Sequence, residues 1–99
     1  MTTGEIKETA IKILDLMGYE VWKQNNIAVR GRKFHGKRGV PDIIGFARLD
    51  GKFVLCEAKN KGDILSDEQE NLLKDAKVAG CHCFIATVDK NGGFELTKF

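Results

Sequence analysis

Four apolar residues in a row, Phe53-Val54-Leu55-Cys56, run straight into Glu57-Ala58-Lys59, and this segment constrains the fold more than any other. The run is too short for a buried helix. Its side chains alternate between two faces and are apolar on both, the pattern of a central strand covered from either side. Just upstream, Asp50-Gly51 is a tight-turn signal, and Asp42 to Ala47 reads as the partner strand of a hairpin. A covered strand needs layers above and below it. In 99 residues there is material for one such core, since two would each fall below the size that usually folds alone.

The covering layers are legible on either side of the hairpin. Ile6, Ala10, Ile13, Leu14 and Met17 recur at helical spacing, so a helix is expected from Gly4 to Met17, capped by Thr2 or Thr3 and ended by Gly18. Tyr19 to Trp22 reads as a short strand. A second helix starts at Ser66 or Asp67 and places Leu72, Leu73, Ala76 and Ala79 on one side before Gly80. Cys83 to Val88 is a further strand, and Asn91-Gly92-Gly93 turns the chain into a last one, Phe94 to Leu96. The reading is a single domain over residues 1–99 of the α+β class, with a small mixed sheet flanked by helices and no internal repeat.

The hairpin also brings chemistry together. Asp42 lies eight residues before Asp50, and Glu57 six after Gly51, so antiparallel pairing sets both at about the same height. Lys59, two residues on from Glu57, shares its face. Two carboxylates that close repel unless a cation lies between them. Oxygen donors of this kind suit Mg²⁺ or Mn²⁺, ions that take up phosphate oxygens and activate water. Metal-assisted phosphodiester hydrolysis needs this set of groups. The plainer reading of each residue alone is structural: Asp42 caps the turn after Pro41, and Glu57 and Lys59 are a solvated strand end.

Charge supplies the second pointer. Sixteen Lys and Arg against fourteen Asp and Glu give only +2, but Val21 to Pro41 contains no acid. That stretch holds Lys23, Asn25, Arg30, Arg32, Lys33, Lys37 and Arg38, the expected DNA-binding residues, and it leads directly into Asp42. A local positive field of this kind attracts phosphates. A solvated basic loop without a partner is the alternative. Gly31, Gly36 and Gly39 break the stretch into a hairpin or mobile loop.

In order along the chain, Glu5, Gly39-Val40-Pro41-Asp42, a fourteen-residue spacer, Glu57-Ala58-Lys59 and the helix start Ser66-Asp67-Glu68-Gln69 resemble the VRR-NUC (virus-type replication-repair nuclease) branch of the PD-(D/E)XK nucleases. The resemblance runs from Glu5 to about Val88. It implies a restriction-endonuclease-like core of order α-β-β-β-α-β and divalent-metal-dependent DNA cleavage. It implies Asp42, Glu57 and the Ala58 carbonyl as metal ligands, with Glu5 contributing from the helix, Lys59 beside the attacking water, and Gln69 reaching toward the site or a phosphate. For Glu5 the alternative is a partner of the helix dipole in the first turn. Glu8, four before Lys12, suits a solvent ion pair. Single-domain members of the branch resemble small Holliday-junction resolvases, which work as dimers.

The expected activity is therefore an Mg²⁺- or Mn²⁺-dependent endodeoxyribonuclease, a homodimer resolving four-way junctions. The alternatives are a flap, nick or duplex nuclease, or an inactive nucleic-acid-binding module on the same fold. No organic cofactor is implied. No apolar run approaches the roughly 20 residues of a membrane span, and the acidic start lacks the features of a secretory signal. A cytoplasmic location, bacterial or phage-encoded, with Cys56, Cys81 and Cys83 as free thiols, is the expectation. Cys81-His82-Cys83 is spaced too closely for a zinc knuckle, and Trp22 is expected in the core or at an interface.

Overall fold

The computed structural model describes residues 1–24 and 37–99. Its elements follow the order helix α1 (Thr3–Leu16), strands β1 (Tyr19–Lys23), β2 (Ile43–Ala47) and β3 (Phe53–Ala58), helix α2 (Asp67–Val78), and strands β4 (His82–Val88) and β5 (Phe94–Lys98). The five strands form one sheet in sequence order. Every neighbouring pair is antiparallel except β3 and β4, which are parallel because α2 carries the chain back across the sheet. The sheet is therefore mixed and its central strand is β3, as its apolar run requires. Val54 to Ala58 are all buried.

Both helices begin with a reciprocal cap. The Thr2 hydroxyl accepts from the Glu5 amide while the Glu5 carboxylate accepts from the Thr2 amide; Ser66 and Gln69 repeat the arrangement at α2. Each box satisfies two donors that a helix start otherwise leaves open, and fixes where the helix begins. After α1 the chain turns at Met17-Gly18 into β1.

Two apolar clusters sit on opposite faces of the sheet. Ile6, Ala10 and Leu14 of α1 are fully buried against Ile43, Val54, Cys56, Phe84 and Ala86. Burying each of the larger side chains contributes about 1.5–3 kcal/mol. On the other face Leu73 of α2 packs with Leu55 and Cys83, flanked by Leu65 and Ala76. Ala79, expected on that side, is exposed at the helix end. Helix α2 covers the β3–β4 half of its face, and among the described residues no element lies over the β1–β2 half. Trp22 is consequently 45% exposed and lies edge-on to Phe46 rather than in the core.

Close strand approach explains one glycine. A Cβ on Gly45 would stand 1.8 Å from the Glu20 carbonyl oxygen and 2.7 Å from the Val21 Cα. Only the missing side chain lets β1 lie against β2 at this point. Gly45→Ala is expected to destabilise the fold by ~3 kcal/mol or more, as overpacking against backbone cannot relax through a rotamer. Thermal or urea unfolding checks this.

Candidate active site

Register places the two carboxylates opposite each other. Ile43 pairs with Cys56, so one step further Asp42 faces Glu57. Backbone hydrogen bonds hold this end of the sheet on both sides. The Gln24 amide donates to the Asp42 carbonyl at 2.6 Å, extending the β1–β2 pairing past its last residue. The Lys59 amide donates to the Ala86 carbonyl at 2.8 Å, extending β3 along β4. Main-chain hydrogen bonds thus set Asp42, Glu57 and Lys59 at one sheet end.

The turn before Asp42 is wedged against α2. Pro41 is fully buried, and Gly39, at φ +82°, brings its Cα so close to α2 that a Cβ would lie 2.6 Å from the Glu68 carbonyl oxygen. Gly-x-Pro-Asp thereby couples the height of Asp42 to the first turn of α2.

Electrostatics at this end are unusual. Glu57 is 2% exposed, and among the described residues its Oε2 has no hydrogen-bond partner. Burial pushes the Glu57 carboxyl up to about 8; Asp42 adds to the rise by hydrogen bonding and by repulsion, while Lys59 and Lys7 oppose it. A buried carboxyl with an unpartnered oxygen, facing a second carboxylate, is a site short of positive charge. Its oxygen donors fit a hard divalent cation.

Lys7 is the residue that sequence reasoning missed. Its Nζ lies 3.8 Å from Asp42 Oδ1, with the lysine side chain 29% and the aspartate side chain 34% exposed. Lys7 precedes Ala10 by three residues and Leu14 by seven, so it falls on the buried stripe of α1. A lysine on an apolar stripe was the available signal: its stem packs and its head must emerge at an end of the core.

Other expected site residues are placed differently. Glu5 is exposed, and its carboxylate closes the cap of α1; hydrogen bonds to Thr2 hold it below the usual carboxylate range. Gln69 likewise commits its Oε1 to the Ser66 amide at 2.9 Å. Among the described residues no group of three acid, His or Cys side chains converges, so Glu5 does not join Asp42 and Glu57. The reason is local: the first-turn carboxylate finds an amide donor three residues away.

Glu8 pairs with Lys23 of β1 rather than being left to Lys12, which ties α1 to the sheet and engages one expected DNA-binding lysine. Lys37 and Arg38 are exposed. Asn25, Arg30, Arg32 and Lys33 lie outside the described residues. Cys56 is fully buried and its thiol is pushed up to about 12, so it packs and stays protonated. His82 pairs with Asp50 at 3.2 Å, at the opposite end of the hairpin.

The family model of the VRR-NUC domain matches residues 2–90, nearly the whole chain. By class this is a nuclease domain. The chain belongs to the VRR-NUC domain family. Its fold is similar to that of Hjc, a Holliday junction resolvase from the archaeal hyperthermophile Archaeoglobus fulgidus. The TM-score is 0.61 over 96% of this chain and 75% of that one, at 17% identity, a likeness of fold. No curated protein sequence matches the chain. No helix among the described residues is long and apolar enough to cross a membrane.

The raised Glu57 carboxyl has a stability consequence. Across the window from about 4.5 to about 8, the folded metal-free protein holds a proton that the unfolded chain has lost. Stability from this group is complete below that window and falls as pH rises through it. The expected loss across the whole window is on the order of 5 kcal/mol. In metal-free buffer with chelator, Glu57→Gln should flatten this fall and be the more stable protein at pH 8. Denaturant unfolding at pH 5, 6.5 and 8 measures the difference.

Proposed function

We propose that the protein is a divalent-metal-dependent DNA endonuclease selective for branched DNA, acting on four-way junctions as a homodimer. The observation that carries the reading is the pair of facing carboxylates, Asp42 and Glu57, with a buried oxygen of Glu57 unpartnered and two lysines beside them. Membership of a nuclease family and a fold shared with a junction resolvase support it.

Asp42 and Glu57 would hold Mg²⁺ or Mn²⁺, with the Ala58 carbonyl as a further oxygen. Such an ion supplies Lewis-acid polarisation of a phosphodiester and a lowered pKa for water. Glu57 must then be ionised, which the added positive charge favours. Lys59 stands two residues on from Glu57 on the same face, where its ammonium orients the attacking water and offsets charge growing on the phosphate. Glu5 would join the ligand set only by giving up its bond to Thr2; in its cap it serves α1. Gln69 in turn keeps α2 started against the Gly39 turn, and would reach a phosphate only on leaving Ser66.

Phosphate contacts orient DNA without reading its sequence, so a basic surface leading into the site suits selectivity for shape. Lys37 and Arg38 are the exposed, described part of that surface. One site cuts one strand, so symmetric cleavage of a junction calls for two sites on a twofold axis.

The test is cleavage of labelled four-way junction, flap, nicked and plain duplex DNA with Mg²⁺ or Mn²⁺, across protein concentration. Junction cleavage that needs the metal and rises with dimerisation is expected. Asp42→Ala should lower the rate by about 10³-fold or more, and Lys59→Met by about 10²–10⁴-fold. Unchanged cleavage in Asp42→Ala would defeat the reading, and preference for flaps or duplex would reassign the substrate.

The basic surface makes a separate prediction. Replacing Lys37 and Arg38 by alanine should weaken binding of all DNA forms. The slope of log affinity against log salt should fall by about 0.9 for each duplex phosphate that the two side chains neutralise. Fluorescence anisotropy at several salt concentrations measures it.

A further inference from the structure

Resting on the metal-site reading above, we propose that Lys7 is a positioning residue of the active site: the resident counter-cation of Asp42, which holds that carboxylate in the metal-free protein and competes with the divalent ion for it.

Three observations lead there. The Lys7 ammonium has no acid to pair with on its own helix, since the positions three and four residues away are Thr3, Gly4, Ala10 and Ile11. Its stem lies on the buried stripe of α1, so the head is delivered to one place, the end of the core where Asp42 stands. The neighbouring Glu8 leaves the stripe and goes to Lys23 instead, so Lys7 is not shared with it.

The separation matters as much as the pairing. At 3.8 Å the two groups attract as charges but are too far apart for a direct hydrogen bond. Asp42 is thus steadied without Lys7 consuming its oxygen lone pairs, which stay available toward Glu57. Lys59 follows Glu57 by two residues just past the end of β3, while Lys7 comes to Asp42 from the helix on the α1 face. Removing Lys59 and removing Lys7 are therefore different experiments. A divalent ion held by Asp42 would sit within a few ångströms of the Lys7 ammonium and be repelled by it. The residue that organises the site without metal should for that reason weaken metal binding.

Titrating wild type, Lys7→Met and Lys7→Arg with Mg²⁺ or Mn²⁺ by calorimetry, beside thermal unfolding in chelator, tests this. Lys7→Met should bind the metal roughly three- to thirty-fold more tightly and yet melt a few degrees lower without it. Lys7→Arg should stay near wild type in both. Combined with Asp42→Asn, Lys7→Met should add no further loss of melting temperature, because the interaction it removes is already gone. A purely structural role would weaken metal binding, and a role confined to touching DNA would leave it unchanged; either result overturns the proposal. If wild type shows saturable uptake and Lys7→Met does not differ, only the role of Lys7 fails. If wild type takes up no divalent ion, the metal site itself fails, and the role of Lys7 with it.

Discussion

Two carboxylates held opposite each other at the end of a hairpin are the constraint on which this domain turns. Asp42 and Glu57 do not meet because they attract. The pairing of β2 with β3 puts them there, and main-chain bonds from Gln24 on one side and Lys59 on the other keep both strands in place. Burial, with Asp42 adding to it, leaves Glu57 protonated in the metal-free protein near neutral pH. A fold tolerates such an arrangement only where the strands are otherwise well secured, and this sheet is covered by α1 on one face and partly by α2 on the other.

Each covering helix also reaches the site. From α1 comes Lys7, whose stem packs in the core while its ammonium faces Asp42. Against α2 leans the Gly39-Val40-Pro41 turn, which sets the position of Asp42 through an approach that no side chain at residue 39 would permit. This end of the sheet is thus braced by both layers, and the two helix caps, Thr2 with Glu5 and Ser66 with Gln69, fix where those layers start. The chain belongs to the VRR-NUC family, and its fold is similar to that of Hjc.

Much of this is legible in the sequence because it follows from local rules. A turn at Asp50-Gly51 and two apolar runs define the hairpin, and counting outward from the turn puts Asp42 level with Glu57. The four-residue run from Phe53 marks the central strand, although Phe53 itself is exposed where no helix covers it. What is not legible depends on competition between partners. Glu5 and Gln69 sit three residues after the cap in a Thr-x-x-Glu and a Ser-x-x-Gln start, and the nearby amides claim both side chains; that spacing is itself a capping signal. Glu8 finds Lys23 across the fold, a pairing that helical spacing alone does not suggest. Trp22 reads as a core or interface residue, but the length of α2 decides how far the sheet is covered, and no single residue encodes that.

The most direct measurement is anomalous diffraction from crystals soaked in Mn²⁺. The account requires a strong peak between the carboxylates of Asp42 and Glu57, with Glu57 Oε2 among the ligands. Crystals that take up Mn²⁺ only elsewhere, with no peak between Asp42 and Glu57, would contradict it.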